Sequence, residues 1–420
     1  MGPGRLKILY LSQLPPSPPR FGAQARMHGL MTSLARRHDI TAVSLVDEEF
    51  DLPECARAMR EYCREVILVP NPNGRGGLAK RMLQLRSMAS LRSFDHHRCS
   101  VPGLQETLDG VLRRESFELV NLEFPYLAHF RLRQSPPGTP RPALVIDAHE
   151  IAYDIVRQFA RKSGSLARRI YAGLDWRKLR REELAAFRAA DGICTCSAAD
   201  QRRLLTEVPS ARTVVIPNAA DVEYYRPRPS DPPGDGRTVM FFGLMSTFPN
   251  VDGVLYFLRE IWPRIATARP QARCKIVGAR PPPSVLELAG PRTEITGLVD
   301  DLRPHLAAAA ALVVPLRIGG GTRLKIVEGM AMCKAIVSTT LGAEGIDAVP
   351  DRDILIADDA ERFAASVIRL LDHPDLAARL GHSARQVAVE RYAWSGAAAA
   401  LEDFHQQILA DRRSPGGVST

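Results

Sequence analysis

The sequence predicts an α/β protein built from two doubly wound parallel sheets. Short apolar runs alternate with longer helix-like segments along the 420 residues, which is the pattern of parallel strands joined by helices. A run rich in proline and glycine at residues 223–236 interrupts the alternation and can continue neither a helix nor a central strand. The hydrophobic content of 45% suffices for two separate cores.

The apolar runs predict strands on both sides of that proline-rich stretch. The predicted strands lie at residues 6–11, 40–46, 66–69, 119–122, 143–147, 192–195 and 214–216, and then at 239–242, 274–277, 294–296, 311–314, 335–338 and 354–356. Further helices are predicted up to Arg36 and at 360–371, 374–390 and 394–410. We therefore expect an N-terminal domain (1–222), a linker (223–236), a C-terminal domain (237–392), a final helix (393–413) and a disordered tail (414–420).

Composition limits the function classes. The net charge of +9 and pI near 9.4 favour an anionic partner: a nucleotide, a lipid phosphate, a membrane surface or nucleic acid. Nucleic acid is disfavoured because aromatic content is only 6% and no recognised binding module is visible. Seven scattered cysteines without a C-x-x-C pair, and no apolar run long enough to span a membrane, predict a cytoplasmic protein with reduced thiols.

One stretch in the last third predicts an anion site. The apolar run 311–316 precedes three glycines, Gly319 to Gly321, and a segment with apolar residues at helical spacing. Thr322 is the predicted N-cap, so free N–H groups and the positive end of the helix dipole would face a ligand above the loop. Arg323 and Lys325 add charge there, and Glu328 lies roughly 9 Å further along the helix. These features suit a nucleotide sugar; the alternative is an ordinary turn with a solvated basic first turn.

Two basic stretches stand out, at residues 80–92 and 157–181. In the first, basic and apolar positions alternate, and in the second Asp175 is the one acid among nine basic residues. One interpretation is a pair of solvated helix faces. The other is peripheral docking on an anionic inner membrane leaflet, or a site for a lipid phosphate acceptor.

With these elements in place, the chain resembles glycosyltransferase family 4. The resemblance rests on residues 147–150, 216–221, 295–304, 315–328 and 337–345. It implies a GT-B fold, in which two Rossmann-like domains face each other across a cleft and the C-terminal helix returns to the N-terminal domain. The implied activity is retaining transfer (hexosyltransferase type, EC 2.4) from a nucleotide sugar to a glycan, lipid-linked or small-molecule acceptor, as in polysaccharide biosynthesis.

The resemblance also implies roles for individual residues. The N–H groups of Arg323 and Leu324, with the loop residues Gly320, Gly321 and Thr322, would hold the donor diphosphate. Glu328 would accept hydrogen bonds from the ribose. The members of the family meet the nucleotide base at the position of Val299, and their N-terminal loop approaches the phosphates at the position of Gly22. Gly243 would be a further donor-binding residue. His149 would lie beside the donor sugar as a catalytic residue.

Two departures from the family pattern shape the expected chemistry. The first glutamate of the E-x7-E motif falls at Gly320, and the usual Arg and Lys after the first strand of the second domain are absent from residues 242–252. Diphosphate neutralisation would therefore fall to Arg323 and Lys325. No Asp-x-Asp motif is evident, so we expect neither a metal nor another cofactor. The alternatives are a nucleotide-sugar-binding scaffold or regulatory subunit with impaired catalysis, or a sugar-nucleotide epimerase of the same fold.

Overall fold

A computed structural model describes residues 4–162, 165–232 and 234–413. Within these ranges the chain forms two compact units. The first comprises the described residues up to Pro217 together with those from Ser395 onward, and the second spans Asn218–Trp394. The tail predicted at 414–420 lies outside the described residues. Among the helices that are described, none has the length and apolarity needed to cross a membrane.

Both units are built on parallel sheets, as the sequence predicts. Each strand ends within one residue of its expected position, since a strand buried on both faces is a continuous apolar run bounded by polar residues. The strands are β1 Lys7–Ser12, β2 Asp39–Val46, β3 Glu65–Pro70, β4 Leu119–Glu123, β5 Ala143–Ala148, β6 Gly192–Thr195, β7 Thr213–Val215, β8 Thr238–Phe242, β9 Arg273–Val277, β10 Thr293–Gly297, β11 Ala311–Val314, β12 Ile336–Ser338 and β13 Leu355–Ile356.

Helices connect most of the strands. They are α1 Gly22–Ala35, α2 Leu52–Arg60, α3 Gly77–Met88, α4 Phe94–Cys99, α5 Pro102–Arg114, α6 Ala152–Lys162, α7 Leu166–Ala189, α8 Ala198–Glu207, α9 Phe248–Tyr256, α10 Trp262–Ala268, α11 Pro283–Leu286, α12 Arg303–Ala308, α13 Leu324–Ala331, α14 Ala360–Asp372, α15 Pro374–Arg391 and α16 Trp394–Arg413. A π-helical segment, Phe257–Ile261, joins α9 to α10.

The strand order places a topological switch point in each sheet. The first sheet runs β3-β2-β1-β4-β5-β6-β7 and the second β10-β9-β8-β11-β12-β13. Ile8 of β1 pairs with Ile40 on one side and with Leu119 on the other. In each sheet the chain therefore adds strands outward on one side of its first strand, β1 or β8, and then returns to add strands on the other side. Ligands of such sheets bind outside the carboxyl ends of the two strands at the reversal, which are β1 and β4, or β8 and β11.

The last helix packs against the first unit. Gly192 at the start of β6 leaves room for it, because a Cβ there would lie 2.4 Å from Ile408 Cδ1 and 2.8 Å from the Phe404 ring. Glu402 on the same helix bonds Arg37 Nη1 at 3.0 Å and lies 3.3 Å from His38 Nε2. The expected return of the C-terminal helix to the first unit is thereby confirmed.

Candidate functional site

The predicted glycine loop lies at the switch point of the second sheet, directly after β11. Gly319 and Gly321 have φ angles of 140° and 71°, a region that favours glycine. The helix begins at Leu324, and Arg323 is its N-cap, without a side-chain capping bond. The prediction that Thr322 caps the helix is therefore wrong. Thr322 is buried instead, and its carbonyl accepts a hydrogen bond from Asn218 Nδ2 at 2.7 Å.

The Arg323 side chain folds back over the loop. Its Nη1 donates to the carbonyls of Gly320 and Gly321, the second at 3.1 Å. A Cβ on Gly319 would approach Arg323 Nη2 to 2.6 Å, so glycine is required for this close packing. The guanidinium thus fixes the loop conformation while keeping its charge at the helix N-terminus, where the first N–H groups have no partner inside the helix.

Lys325 occupies a half-buried niche at the same helix end. Its Nζ donates to Asn250 Oδ1 at 2.7 Å and lies 4.0 Å from the centroid of the Phe241 ring. Burial, reinforced by the positive charge of Arg323, lowers the pKa of Lys325 to about 7. An anion beside the ammonium would reverse that shift. Sequence reasoning did not single out Asn250 or Phe241.

Gly243, the residue after β8, completes the niche. Its φ is 154°, and a Cβ at this position would lie 2.9 Å from both Asn250 Nδ2 and Lys325 Nζ. Asn250 in turn donates to the Leu244 carbonyl at 2.9 Å. The carboxyl end of β8 is therefore held against the start of α13 by one lysine and one asparagine.

Glu328 lies one turn further along α13, on the same face as Lys325. Burial raises the pKa of Glu328 to about 7, an effect that the nearby Tyr225 hydroxyl and Lys325 ammonium partly offset. Tyr225 belongs to the stretch predicted as a linker, which the structure places inside the second unit. The linker prediction gave no reason to expect a site residue here, because a run of prolines and glycines carries no signal for one.

The loop and Val299, the remaining predicted residue of this unit, follow β11 and β10, which are separated by two strands in the sheet. Arg317 forms two hydrogen bonds to Asp252 of α9, at 2.9 and 3.1 Å, and stacks on Tyr256 at 4.3 Å. These contacts tie the beginning of the glycine loop to α9. Val299 is half-buried after β10, the edge strand at the other end of the order, and packs on the core.

The first unit holds the other two predicted residues, His149 and Gly22. His149 follows β5, and its Nε2 lies 2.7 Å from Oε2 of Glu123, the last residue of β4. The Phe124 ring lies 4.0 Å from the imidazole. Burial, together with the charge of Asp147, raises the pKa of Glu123. Gly22 is the first residue of α1. Glu123 lies in no recognisable sequence motif, so its contact with His149 becomes apparent only from the pairing of β4 with β5.

A buried arginine supplies positive charge behind His149. Arg26 Nε and Nη2 bind the two oxygens of Asp147 at 2.9 and 2.8 Å, and Nη1 donates to the Ile216 carbonyl. Donor atoms of Glu123, Asp147 and His149 lie within 4.8 Å of one another, a grouping that could hold a metal ion. Because a guanidinium already occupies both oxygens of Asp147, the donor set fits an arginine-balanced network better than a cation site.

Comparison with known proteins supports the fold. Residues 236–373 match the family model described as "Glycosyl transferases group 1". No curated protein matches the chain by sequence. Among solved structures, sucrose-phosphate synthase from Thermosynechococcus elongatus is similar, with 16% identity, a TM-score of 0.72 and coverage of 97% of this chain and 100% of that one.

Two further structures are similar over nearly their whole length. HepE from Anabaena, solved with UDP, shares 15% identity, has a TM-score of 0.63, and covers 96% of this chain and 100% of its own. WaaG, a glycosyltransferase involved in lipopolysaccharide biosynthesis, shares 14% identity with a TM-score of 0.62, covering 98% and 100%. Together with the two parallel sheets, these similarities show that the chain has the GT-B fold.

Proposed function

We propose that this protein is a retaining glycosyltransferase that moves a sugar from a nucleotide-sugar donor to a glycan, lipid-linked or small-molecule acceptor. One observation carries the proposal. Lys325 and Glu328 lie on one face of α13, at the switch point of a sheet whose residues match a glycosyltransferase family model. A cation at the helix N-terminus and a carboxylate one turn away suit a diphosphate and a ribose, respectively.

The donor diphosphate would bind over the glycine loop. The N–H groups at the start of a helix, here those of Arg323 and Leu324, have no acceptor inside the helix, and the Lys325 ammonium is held in place by Asn250 at 2.7 Å. Preorganised donors of this kind stabilise negative charge that develops as the diphosphate leaves. We assign charge neutralisation to Lys325 first, because Arg323 also serves the loop carbonyls.

Glu328 and His149 complete the proposed roles. The Glu328 carboxylate would accept hydrogen bonds from the ribose hydroxyls. His149, paired with Glu123 at 2.7 Å, is the proposed catalytic residue of the first unit, since an oxocarbenium-like transition state needs a polar or anionic partner. Gly320 offers no carboxylate to the sugar, so sugar recognition would rest on other groups.

The paired pKa shifts predict how donor affinity depends on pH. A diphosphate binds the protonated form of Lys325, whose pKa is about 7 in the free protein, so affinity should fall as pH rises above about 7. Ribose hydroxyls bind the ionised form of Glu328, whose pKa is also about 7, so affinity should fall as pH drops below it. Calorimetric titration from pH 5.5 to 8.5 should therefore give a maximum near pH 7.

Two conservative variants separate the limbs of this profile. Lys325→Arg keeps the positive charge at every pH used and should flatten the alkaline limb. Glu328→Gln cannot ionise and should flatten the acid limb while lowering affinity overall. The two phosphates of a nucleotide sugar are diesters that do not titrate in this range, so a profile unchanged in both variants would contradict the assignment.

An assay of sugar transfer distinguishes the proposed glycosyltransferase from the alternative functions. Purified protein with a nucleotide sugar and an acceptor library should give a glycoside whose anomeric configuration, read by NMR, matches the donor. Activity should persist in EDTA, since the protein supplies the cations in this proposal. Donor binding without turnover would favour the scaffold interpretation, an epimerised nucleotide sugar would favour an epimerase, and an inverted product would exclude retention.

A further inference from the structure

Helix α3 carries an apolar stripe that faces away from the protein. Leu78, Met82 and Leu85 are spaced i, i+4 and i+7, so they share one helix face, and they are 73%, 64% and 65% exposed. The opposite face holds Leu83 and Ser87, which are buried against the first unit. Both sides of the helix thus carry apolar residues, and the rest of the protein covers only the side that carries Leu83.

A second exposed stripe lies on the neighbouring helix α7. Its members, Leu166, Ile170 and Leu174, are spaced by four residues and are between 46% and 69% exposed. The two helices are in contact, because Lys178 Nζ donates to the Ser87 carbonyl at 2.5 Å and Ser87 Oγ donates to Asp175 at 3.2 Å. Leu91, just beyond α3, is 76% exposed and adds to the apolar surface.

Helices α6 and α7 form a groove that combines this apolar surface with arginines. The groove has a volume of about 460 Å³. Its walls contain Leu166, Ile170 and Trp176 beside four arginines, namely Arg157, Arg161, Arg169 and Arg177. Arg177 also lies 4.9 Å from the Trp176 ring. A space lined by guanidinium groups and aliphatic carbons suits an anionic headgroup with its hydrocarbon chain.

Some of the basic residues around these stripes pair with acids, as Arg92 does with Glu182 and Arg157 with Asp154, but others do not. Residues 77–92 contain four basic residues and no Asp or Glu. In the part of the chain that is described, Lys80, Arg81 and Arg86 take part in no ion pair. The acid of the second stretch, Asp175, is buried and hydrogen-bonded to the Phe94 N–H at 2.9 Å. Cations therefore flank exposed aliphatic side chains on both helices.

We infer that α3, α6 and α7 form a docking surface for an anionic phospholipid bilayer. The apolar stripes of α3 and α7 enter the boundary between headgroups and acyl chains, and the flanking arginines bind lipid phosphates. Charge complementarity selects this occupant, because a surface with this excess of arginine and lysine opposes contact with a second copy of itself. Docking is independent of the proposed transfer reaction, although it suits a lipid-linked acceptor.

Vesicle flotation tests this surface directly. The full-length protein should float with vesicles of phosphatidylcholine and phosphatidylglycerol, and not with phosphatidylcholine alone. The triple variant Leu78→Ser/Met82→Ser/Leu85→Ser should reduce the partition coefficient at least about tenfold. Arg81→Gln/Arg86→Gln should reduce it about fivefold per charge. For the unaltered protein, raising the salt concentration to 1 M, where the Debye length is about 3 Å, should also weaken binding to the vesicles.

Controls are available in the second unit. Leu286 and Val389 are 47% and 45% exposed, so Leu286→Ser/Val389→Ser removes exposed apolar surface elsewhere, though less of it, and Arg379→Gln removes an exposed charge. Controls should bind vesicles like the unaltered protein, and thermal unfolding should confirm that every variant folds. Absent binding, equal binding to neutral vesicles, or equal losses in controls and variants would each overturn the proposal. A change from dimer to monomer in the triple variant, without any vesicle binding, would overturn the proposal as well.

Discussion

Replacing Lys325 by methionine should lower kcat for sugar transfer by about 100-fold, the low end of the loss seen when one preorganised donor is removed from an oxyanion site. The ammonium is held by Asn250 at 2.7 Å and sits over Phe241, so it is in place before the diphosphate leaves. Methionine has a similar length and can fill the niche over the ring, which limits the change to the lost charge. Steady-state kinetics with saturating acceptor measure the effect.

A partly exposed lysine of the same unit provides the control. Lys275 pairs with Glu294 at 3.0 Å, and Lys275→Met should leave kcat and the donor KM within about twofold. Lys325→Arg should recover part of the activity because it restores the charge. Should Lys325→Met leave both constants unchanged, the assignment of diphosphate neutralisation to Lys325 would be wrong.

Replacing Arg26 by methionine should lower the free energy of unfolding by about 3–5 kcal/mol, the usual cost of leaving one partner of a buried ion pair uncompensated. Both Arg26 and Asp147 have side chains only 1% exposed. Burial alone would lower the pKa of Arg26, but the Asp147 carboxylate outweighs it and raises the pKa. Urea denaturation of the unaltered and variant proteins measures the difference.

The exposed pair of Arg114 and Glu65, 2.6 Å apart, is the matched comparison. Arg114→Met should cost less than about 1 kcal/mol, because solvent screens an exposed pair. The double variant Arg26→Met/Asp147→Asn should be less destabilised than the sum of its single variants. An Arg26→Met variant as stable as Arg114→Met would contradict the inference that the buried pair of Arg26 and Asp147 stabilises the first unit.

The strands and helices could be predicted from the sequence because their signals are local. A strand of a doubly covered parallel sheet is a short apolar run, and its ends are set by the polar or glycine residues on either side. The glycine loop was likewise visible in three consecutive residues, Gly319 to Gly321. Helix caps are harder to place, since one residue decides them, and the N-cap falls on Arg323 rather than on Thr322.

The partners of the candidate site could not be predicted, because each pairing joins distant parts of the chain. Asn250 reaches Lys325 across 75 positions, and Glu123 reaches His149 across 26. Tyr225 lies in a stretch whose composition indicates a linker, yet it lies close enough to Glu328 to influence the pKa of that carboxyl group. Asparagine, glutamate and tyrosine occur on every surface, so only the strand order and the packing of α13 identify these three as site residues.

Binding of nucleotide sugars tests the central claim most directly. Only a ligand of the native state raises the melting temperature, so the unaltered protein should be stabilised by at least one of the UDP-, GDP- and ADP-sugars. The Glu328→Gln variant should lose most of that stabilisation, and the control variant Lys275→Met should keep it. If none of these donors raised the melting temperature, or if Glu328→Gln were stabilised as strongly as the unaltered protein, α13 would not be the donor site.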